Sequence, residues 1–179
     1  VVDACRQLLG SPRTLVIFGS YSIGKERVYL HVARALGIAL YVDAAKRRVL
    51  DCLGLPPEDL ACLTADASAT RWRVVPMVAL RLDRARALLH QCGGRYDSCV
   101  AFRPSGWCFG RGGARRHGDV TVHEVAYSEH SSFDELRACV RDLRPSRIIP
   151  TVNCNRGDKV RAMIEMLKPM TAIDTESAS

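Results

Sequence analysis

Several things are missing from this sequence, and each absence closes a class of function. There is no C-x-x-C pair, which argues against a zinc finger. No apolar run comes near the roughly 18 residues needed to span a bilayer, and no charged-then-apolar stretch opens the chain as a signal peptide would. The chain therefore reads as soluble, with no membrane partner. Neither G-x-S-x-G nor a pair of closely spaced histidines occurs. His123-Glu124 begins H-E-x-x but reaches Tyr127 in place of a second His, and it lies in a strand-like segment, so a zincin helix is excluded too. Internal repeats and low-complexity linkers are also lacking.

What is present describes a folded domain. The 179 residues are 47% hydrophobic and 25% charged, enough to bury roughly two thirds of the unfolded surface without help from disulfides or metal. Any metal here would serve chemistry. Eight cysteines stand singly along the chain and read as reduced thiols, mostly in the core. The 26 basic against 19 acidic residues leave a net charge of +7 and a pI near 9.2, which favours a polyanionic partner such as nucleic acid. The chain opens on Val1, as expected of a piece cut from a longer protein.

Strand and helix signals alternate. Thr14–Phe18 (TLVIF) is an apolar run of strand length closed by Gly19, suited to a strand buried on both faces. Val28, Val32, Ala35 and Leu36 then form a helical stripe that Gly37 ends. Ala39–Val42 predicts a short strand, Ala44–Leu53 a helix stopped by Gly54 and Pro56-Pro57, and Val74–Val78 a strand that Pro76 pushes towards an edge. Leu82, Ala85, Leu88 and Leu89 mark a helix, and Ser98–Phe102 a strand. Residues 103–118 turn rich in Gly and Arg and read as an exposed loop or irregular hairpin. Asp119–Tyr127 predicts a strand, Phe133, Leu136 and Val140 a helix, Ile148-Ile149 a strand, and Val160, Met163, Ile164 and Leu167 the last helix. Beyond Met170 the chain is polar and frayed. Such alternation predicts an α/β layered fold with a mostly parallel sheet, whose function collects at the carboxyl ends of the strands.

Two strand ends carry candidate chemistry. Gly19-Ser20-Tyr21-Ser22-Ile23-Gly24-Lys25-Glu26 matches the G-x-x-x-x-G-K of a phosphate-cradling loop, but Glu26 stands where a magnesium-binding hydroxyl is needed. What remains is a glycine-bearing turn presenting hydroxyls, Lys25 and Glu26. In Tyr127-Ser128-Glu129-His130-Ser131-Ser132-Phe133-Asp134-Glu135, Ser132 and Glu135 fit a capping box. His130 is then fixed between a strand end and a helix N-terminus.

Read together with Ala101-Phe102-Arg103-Pro104-Ser105-Gly106-Trp107 and Ile148-Ile149-Pro150-Thr151-Val152-Asn153, these blocks resemble the DNA cross-link repair nucleases of the metallo-β-lactamase/β-CASP family, the group of Artemis and Apollo. The resemblance covers roughly residues 1–165. It implies a β-CASP region over residues 1–118, a C-terminal strand-helix return to a metallo-β-lactamase fold over 119–170, and a polar tail over 171–179. It further implies a nuclear, zinc-dependent 5′-to-3′ exonuclease acting on single-stranded or 5′-ended duplex DNA in interstrand cross-link and double-strand-break repair. Glu26 then corresponds to the acidic β-CASP motif and His130 to the histidine that completes the metal site. Val152 stands at the third motif, where Val favours DNA over RNA. Phosphate contacts are expected from Ser20, Ser22 and Lys25, and a basic rim from Arg103, Arg111, Arg115 and Arg116. The family's H-x-H-x-D-H motif is absent, whereas a hydrolytic zinc site needs about three protein ligands. The remaining ligands are expected from an upstream metallo-β-lactamase half, without which this chain is inactive. A non-catalytic nucleic-acid-binding or scaffold module is the alternative, and a P-loop-like nucleotide-binding protein a more remote one.

Overall fold

A computed structural model of the chain describes residues 1–106, 113–152 and 154–167. It divides into two compact units, Val1–Glu129 and His130–Ser179. The first contains helices α1 (Val2–Leu8), α2 (Glu26–Leu36), α3 (Ala44–Asp51), α4 (Pro57–Ala61) and α5 (Leu82–Gln91). Its strands are β1 (Thr14–Ser20), β2 (Leu40–Tyr41), β3 (Leu63–Thr64), β4 (Trp72–Pro76), β5 (Ser98–Ser105), β6 (Gly113–His117) and β7 (Val120–Ala126). Among the described residues these strands form one sheet in the order β3-β2-β4-β1-β5-β7-β6. Every pairing is parallel except the antiparallel β6–β7 pair. The mixed α/β class and the mostly parallel sheet expected from the sequence are therefore found.

The apolar run TLVIF lies at the centre of this sheet, and all seven residues of β1 are buried. Alternation sends its side chains to both faces. Val16 and Phe18 join Tyr29, Val32, Leu50, Trp72 and Phe102 under α1–α4. Leu15 and Ile17 join Leu80, Leu89, Tyr96, Cys99 and Val120 on the other face, under α5. Rings from adjacent strands stack across the first face, with Trp72 against Phe18 at 6.2 Å, Phe18 against Phe102 at 5.3 Å and Phe102 against His123 at 5.0 Å. Burial pushes the His123 pKa down, helped by the chain-terminal ammonium.

Some expectations need correction. The buried stripe of α2 runs through Val28, Tyr29, Val32 and Ala33, while Ala35 is exposed. β4 lies inside the sheet, not at an edge, because Pro76 is its last residue and the β2 ladder reaches only Arg73. Met77–Leu80 then turns into a 3-10 helix. Residues 113–117 form the edge strand β6, fully exposed, which has no apolar alternation to announce it and is held by backbone pairing to β7. Arg147–Pro150 is not a strand, since no described strand pairs with it and Ile149 is 66% exposed. Of the described cysteines, only Cys5 and Cys99 are buried, and burial raises both thiol pKa values to about 12. Cys52, Cys139 and Cys154 are exposed, so the thiols are not mostly in the core. Cys108 and the tail beyond Met170 lie outside the described residues.

The second unit holds α6 (Phe133–Leu143) and α7 (Gly157–Leu167), which match the last two helical stripes read from the sequence.

Candidate functional site

The site is built from the turn that leaves β1. Gly19 begins it under close constraint: a Cβ there would lie 2.3 Å from Leu80 Cδ1 and 2.6 Å from Met77 Sδ. The chain then reverses into α2 through two left-handed residues, Gly24 (φ 105°) and Lys25 (φ 76°). A side chain at Gly24 would be strained and would meet Glu129 Oε2 at 2.9 Å. For the non-glycine Lys25, this backbone needs support from outside the turn.

That support comes from two residues, one of which, Lys46, has no motif signal of its own. Lys46, on α3, reaches across and shares its ammonium protons among four acceptors. These are Glu26 Oε1 at 2.8 Å, the Tyr21 carbonyl at 2.9 Å, and the Ser22 carbonyl and Ser20 Oγ at 3.0 Å each. The Lys46–Glu26 pair is nearly closed to solvent, with side chains 11% and 10% exposed. Position favours this reach, because Asp43 caps α3 by accepting from the Lys46 amide at 2.7 Å. The Glu26 charge adds to burial, the larger effect, in raising the pKa of the neighbouring Tyr29 phenol.

Glu129 supplies the second support. Both its carboxylate oxygens accept from the Lys25 amide at 3.2 Å, and Oε1 also accepts from the Tyr127 hydroxyl at 3.1 Å. The Lys25 ammonium donates to the Tyr127 carbonyl at 3.3 Å and lies 5.0 Å over the Tyr127 ring. Burial first, and then Glu129, raise the Tyr127 pKa. A carboxylate thus occupies the N-terminus of α2, the place where a P-loop would hold phosphate. The nucleotide-binding alternative loses its anion site for this reason, and the two sequence blocks are joined by the same contact.

The predicted site residues fare differently. Ser20, Lys25 and Glu26 are buried and engaged, Ser20 within the turn, Lys25 on Tyr127 and Glu26 on Lys46, whereas Ser22 is exposed. Arg103 is turned inward, donating to Glu124 Oε1 at 3.1 Å and to the Leu80 carbonyl at 2.9 Å. Arg115 and Arg116 are exposed on β6, with Arg116 also donating to the Gly118 carbonyl at 3.1 Å. Arg111 lies outside the described residues, as do Trp107 and Asn153 of the motif blocks. His123 and Glu124 project to opposite faces of β7, stacked on Phe102 and paired with Arg103 respectively.

In the second unit, the capping box forms as its spacing predicts. Ser132 Oγ accepts from the Glu135 amide at 3.2 Å, and Glu135 Oε2 accepts from the Ser132 amide at 2.6 Å. The Ser132 amide, and then its hydroxyl, donate to the Glu135 carboxylate and hold its pKa below the ordinary value. His130 precedes the cap by two positions and is exposed, and Val152 is 66% exposed. Among the described residues no three His, Cys, Asp or Glu side chains gather as a metal site. A complete zinc site does not fit this donor set. No helix among the described residues is long and apolar enough to cross a membrane.

Comparison with known proteins agrees with these blocks. A family described as DNA repair metallo-beta-lactamase matches residues 57–156. The DNA cross-link repair protein SNM1 of Arabidopsis thaliana is 42% identical over 151 residues, covering 79% of this chain and 31% of that protein. The human DNA cross-link repair 1A protein is 36% identical over 150 residues, covering 80% of the chain and 14% of its own length. The 5′ exonuclease Apollo of Gallus gallus is 28% identical over 169 residues, covering 92% of the chain and 32% of its own. The chain thus spans about a third or less of these relatives. With the match running through more than half its residues, the chain belongs to the DNA repair metallo-beta-lactamase family.

Proposed function

We propose that this chain is the C-terminal part of a zinc-dependent 5′-to-3′ DNA exonuclease, acting in the nucleus on cross-linked or broken DNA. The observation that carries this reading is the joining of the Gly-Lys-Glu and Ser-Glu-His blocks through the Lys25 amide and the Glu129 carboxylate. It is supported by relatives named for cross-link repair and 5′ exonuclease activity. Glu26, fixed by Lys46, orients the site by hydrogen bonding. His130 is the one ligand this chain contributes to the metal, the others coming from an upstream metallo-β-lactamase half. Ser22, Arg115 and Arg116 meet the DNA backbone, while Ser20 and Lys25 shape the turn. Binding of this kind is largely sequence-independent and weakens with salt.

The test compares this chain with a version extended at its N-terminus on 5′-phosphorylated single-stranded DNA, with divalent metal or with chelator. The extended protein digests from the 5′ end only with metal, this chain alone does not, and His130→Ala abolishes digestion. Digestion from the 3′ end, or full activity in His130→Ala, overturns the reading. The incomplete donor set favours a second reading, a non-catalytic DNA-binding module. An extended protein that binds DNA without cutting it would establish that instead.

A further inference from the structure

The loop-facing end of the sheet contains a crevice that the proposed nuclease chemistry leaves unused. β1 and β4 are neighbours, paired in parallel up to Ser20 opposite Pro76. The chain leaving β1 passes to α2, whose Tyr29 and Val32 pack with Phe18. The chain leaving β4 passes to the opposite face, where Leu80 and Leu89 pack with Ile17. Where successive connections part in this way, the carboxyl ends of two parallel strands open a crevice, the usual ligand position in open α/β sheets. Here it encloses about 510 Å³, within the range of about 300–1,000 Å³ typical of small-molecule sites.

Its lining constrains the ligand. One wall is β4 and the following turn, Val74 to Val78, and the other is Ala45 and Val49 of α3. Ser20, Tyr21, Ser22, Asp43 and Lys46 supply the polar positions. The Lys46 ammonium would suit a phosphate, but it is already spent on four acceptors, and the exposed Asp43 carboxylate repels anions. The pocket is therefore unfit for phosphate. It suits a neutral, flat, largely apolar group with hydrogen-bonding atoms on one edge. Tyr21 is 57% exposed and offers an aromatic face at the rim, where such a group can stack.

We infer that this pocket receives an unstacked nucleobase of the bound DNA strand, with Tyr21 as its stacking partner. The inference rests on the reading of the chain as DNA-acting and adds to it a site for the base, beside the backbone contact assigned to Ser22 at the pocket's polar edge. Backbone contacts position a strand without touching its bases, so a base seated here adds a contact to the nucleotide's own ring.

The test measures fluorescence anisotropy of the 179-residue chain with a 5′-phosphorylated single-stranded oligonucleotide and with the same backbone carrying abasic sites. The base-bearing strand binds about tenfold more tightly, the scale of one base stacked on an aromatic side chain. Tyr21→Ala removes the stack. Ala45→Leu fills the pocket with an aliphatic group at an exposed helix position, where folding is not at risk. In both variants the base-bearing strand falls to the affinity of the abasic one, and the abasic affinity stays as it was. Equal binding of the two strands by the unmodified chain overturns the pocket while leaving a backbone-binding nuclease intact. A base preference that survives Ala45→Leu also overturns it. Failure of both strands to bind overturns the DNA reading together with the pocket.

Discussion

The turn after β1 and the edge strand β6 are both polar and both carry cations, but the fold disposes of their charges in opposite ways. In the turn, Lys46 and Glu26 are paired near full burial, and Lys25 is 7% exposed with its ammonium on the Tyr127 carbonyl. In β6, all five residues Gly113–His117 are exposed. The difference teaches which charges remain for a polyanion. Buried cations hold the shape of the turn, and a surface strand carrying Arg115 and Arg116 supplies positive field with all its side chains exposed. A basic net charge read from composition cannot make that distinction.

The comparison can be broken most strongly at Lys46. Lys46→Met leaves the Glu26 carboxylate buried without its cation and is expected to cost about 3 kcal/mol, read from the urea midpoint at constant m. Adding Glu26→Gln removes the stranded charge and recovers part of that loss. Gly24→Ala comes next, at about 1–2 kcal/mol, because it combines a left-handed backbone with a clash against Glu129. Glu129→Ala is expected to cost about 1 kcal/mol as a lost helix N-terminal acceptor.

Strand β7 lies between the two regions and gives a pH test. The His123 pKa is lowered in the folded state, so between that value and the unfolded value the unfolded chain binds more protons. Stability therefore rises with pH through this window, up to roughly 6.5, and protonation at lower pH opposes folding. His123→Phe keeps the stack on Phe102 and removes this slope, as urea midpoints between pH 5 and pH 8 would show. The smallest stability effect belongs to β6. Arg115→Ala with Arg116→Ala should change stability by no more than about 0.5 kcal/mol. The same pair should reduce the salt slope of single-stranded DNA binding by about 1.4 if each arginine meets one phosphate. Arg103→Ala should behave in the reverse sense, costing about 1 kcal/mol through Glu124 and the Leu80 carbonyl and leaving the salt slope unchanged.

Legibility in the sequence followed the range of the interaction. TLVIF announced the central strand because a strand covered on both faces needs no polar alternation. Gly37 announced the end of α2 because a left-handed cap there, at φ 61°, favours glycine. Ser132 and Glu135 announced their helix because a capping box is complete within four residues. The isoleucines at 148 and 149 misled, since strand propensity without a partner strand makes no ladder. β6 was hidden for the converse reason: its partner makes it a strand although its side chains do not.

The sequence by itself determined the alternation of elements, the strand-end position of the Gly-Lys-Glu turn, the family blocks and the absence of an H-x-H-x-D-H motif. It could not show that Lys46 holds Glu26 across 20 positions, or that Glu129 caps Lys25 across 104. The crevice between β1 and β4 was equally out of reach. Spacing along the chain encodes contacts within a turn or two of helix or strand. Contacts between distant residues exist only once the sheet has brought its strand ends together, and in this protein the tertiary structure alone decided which charges are spent on internal contacts and which remain exposed.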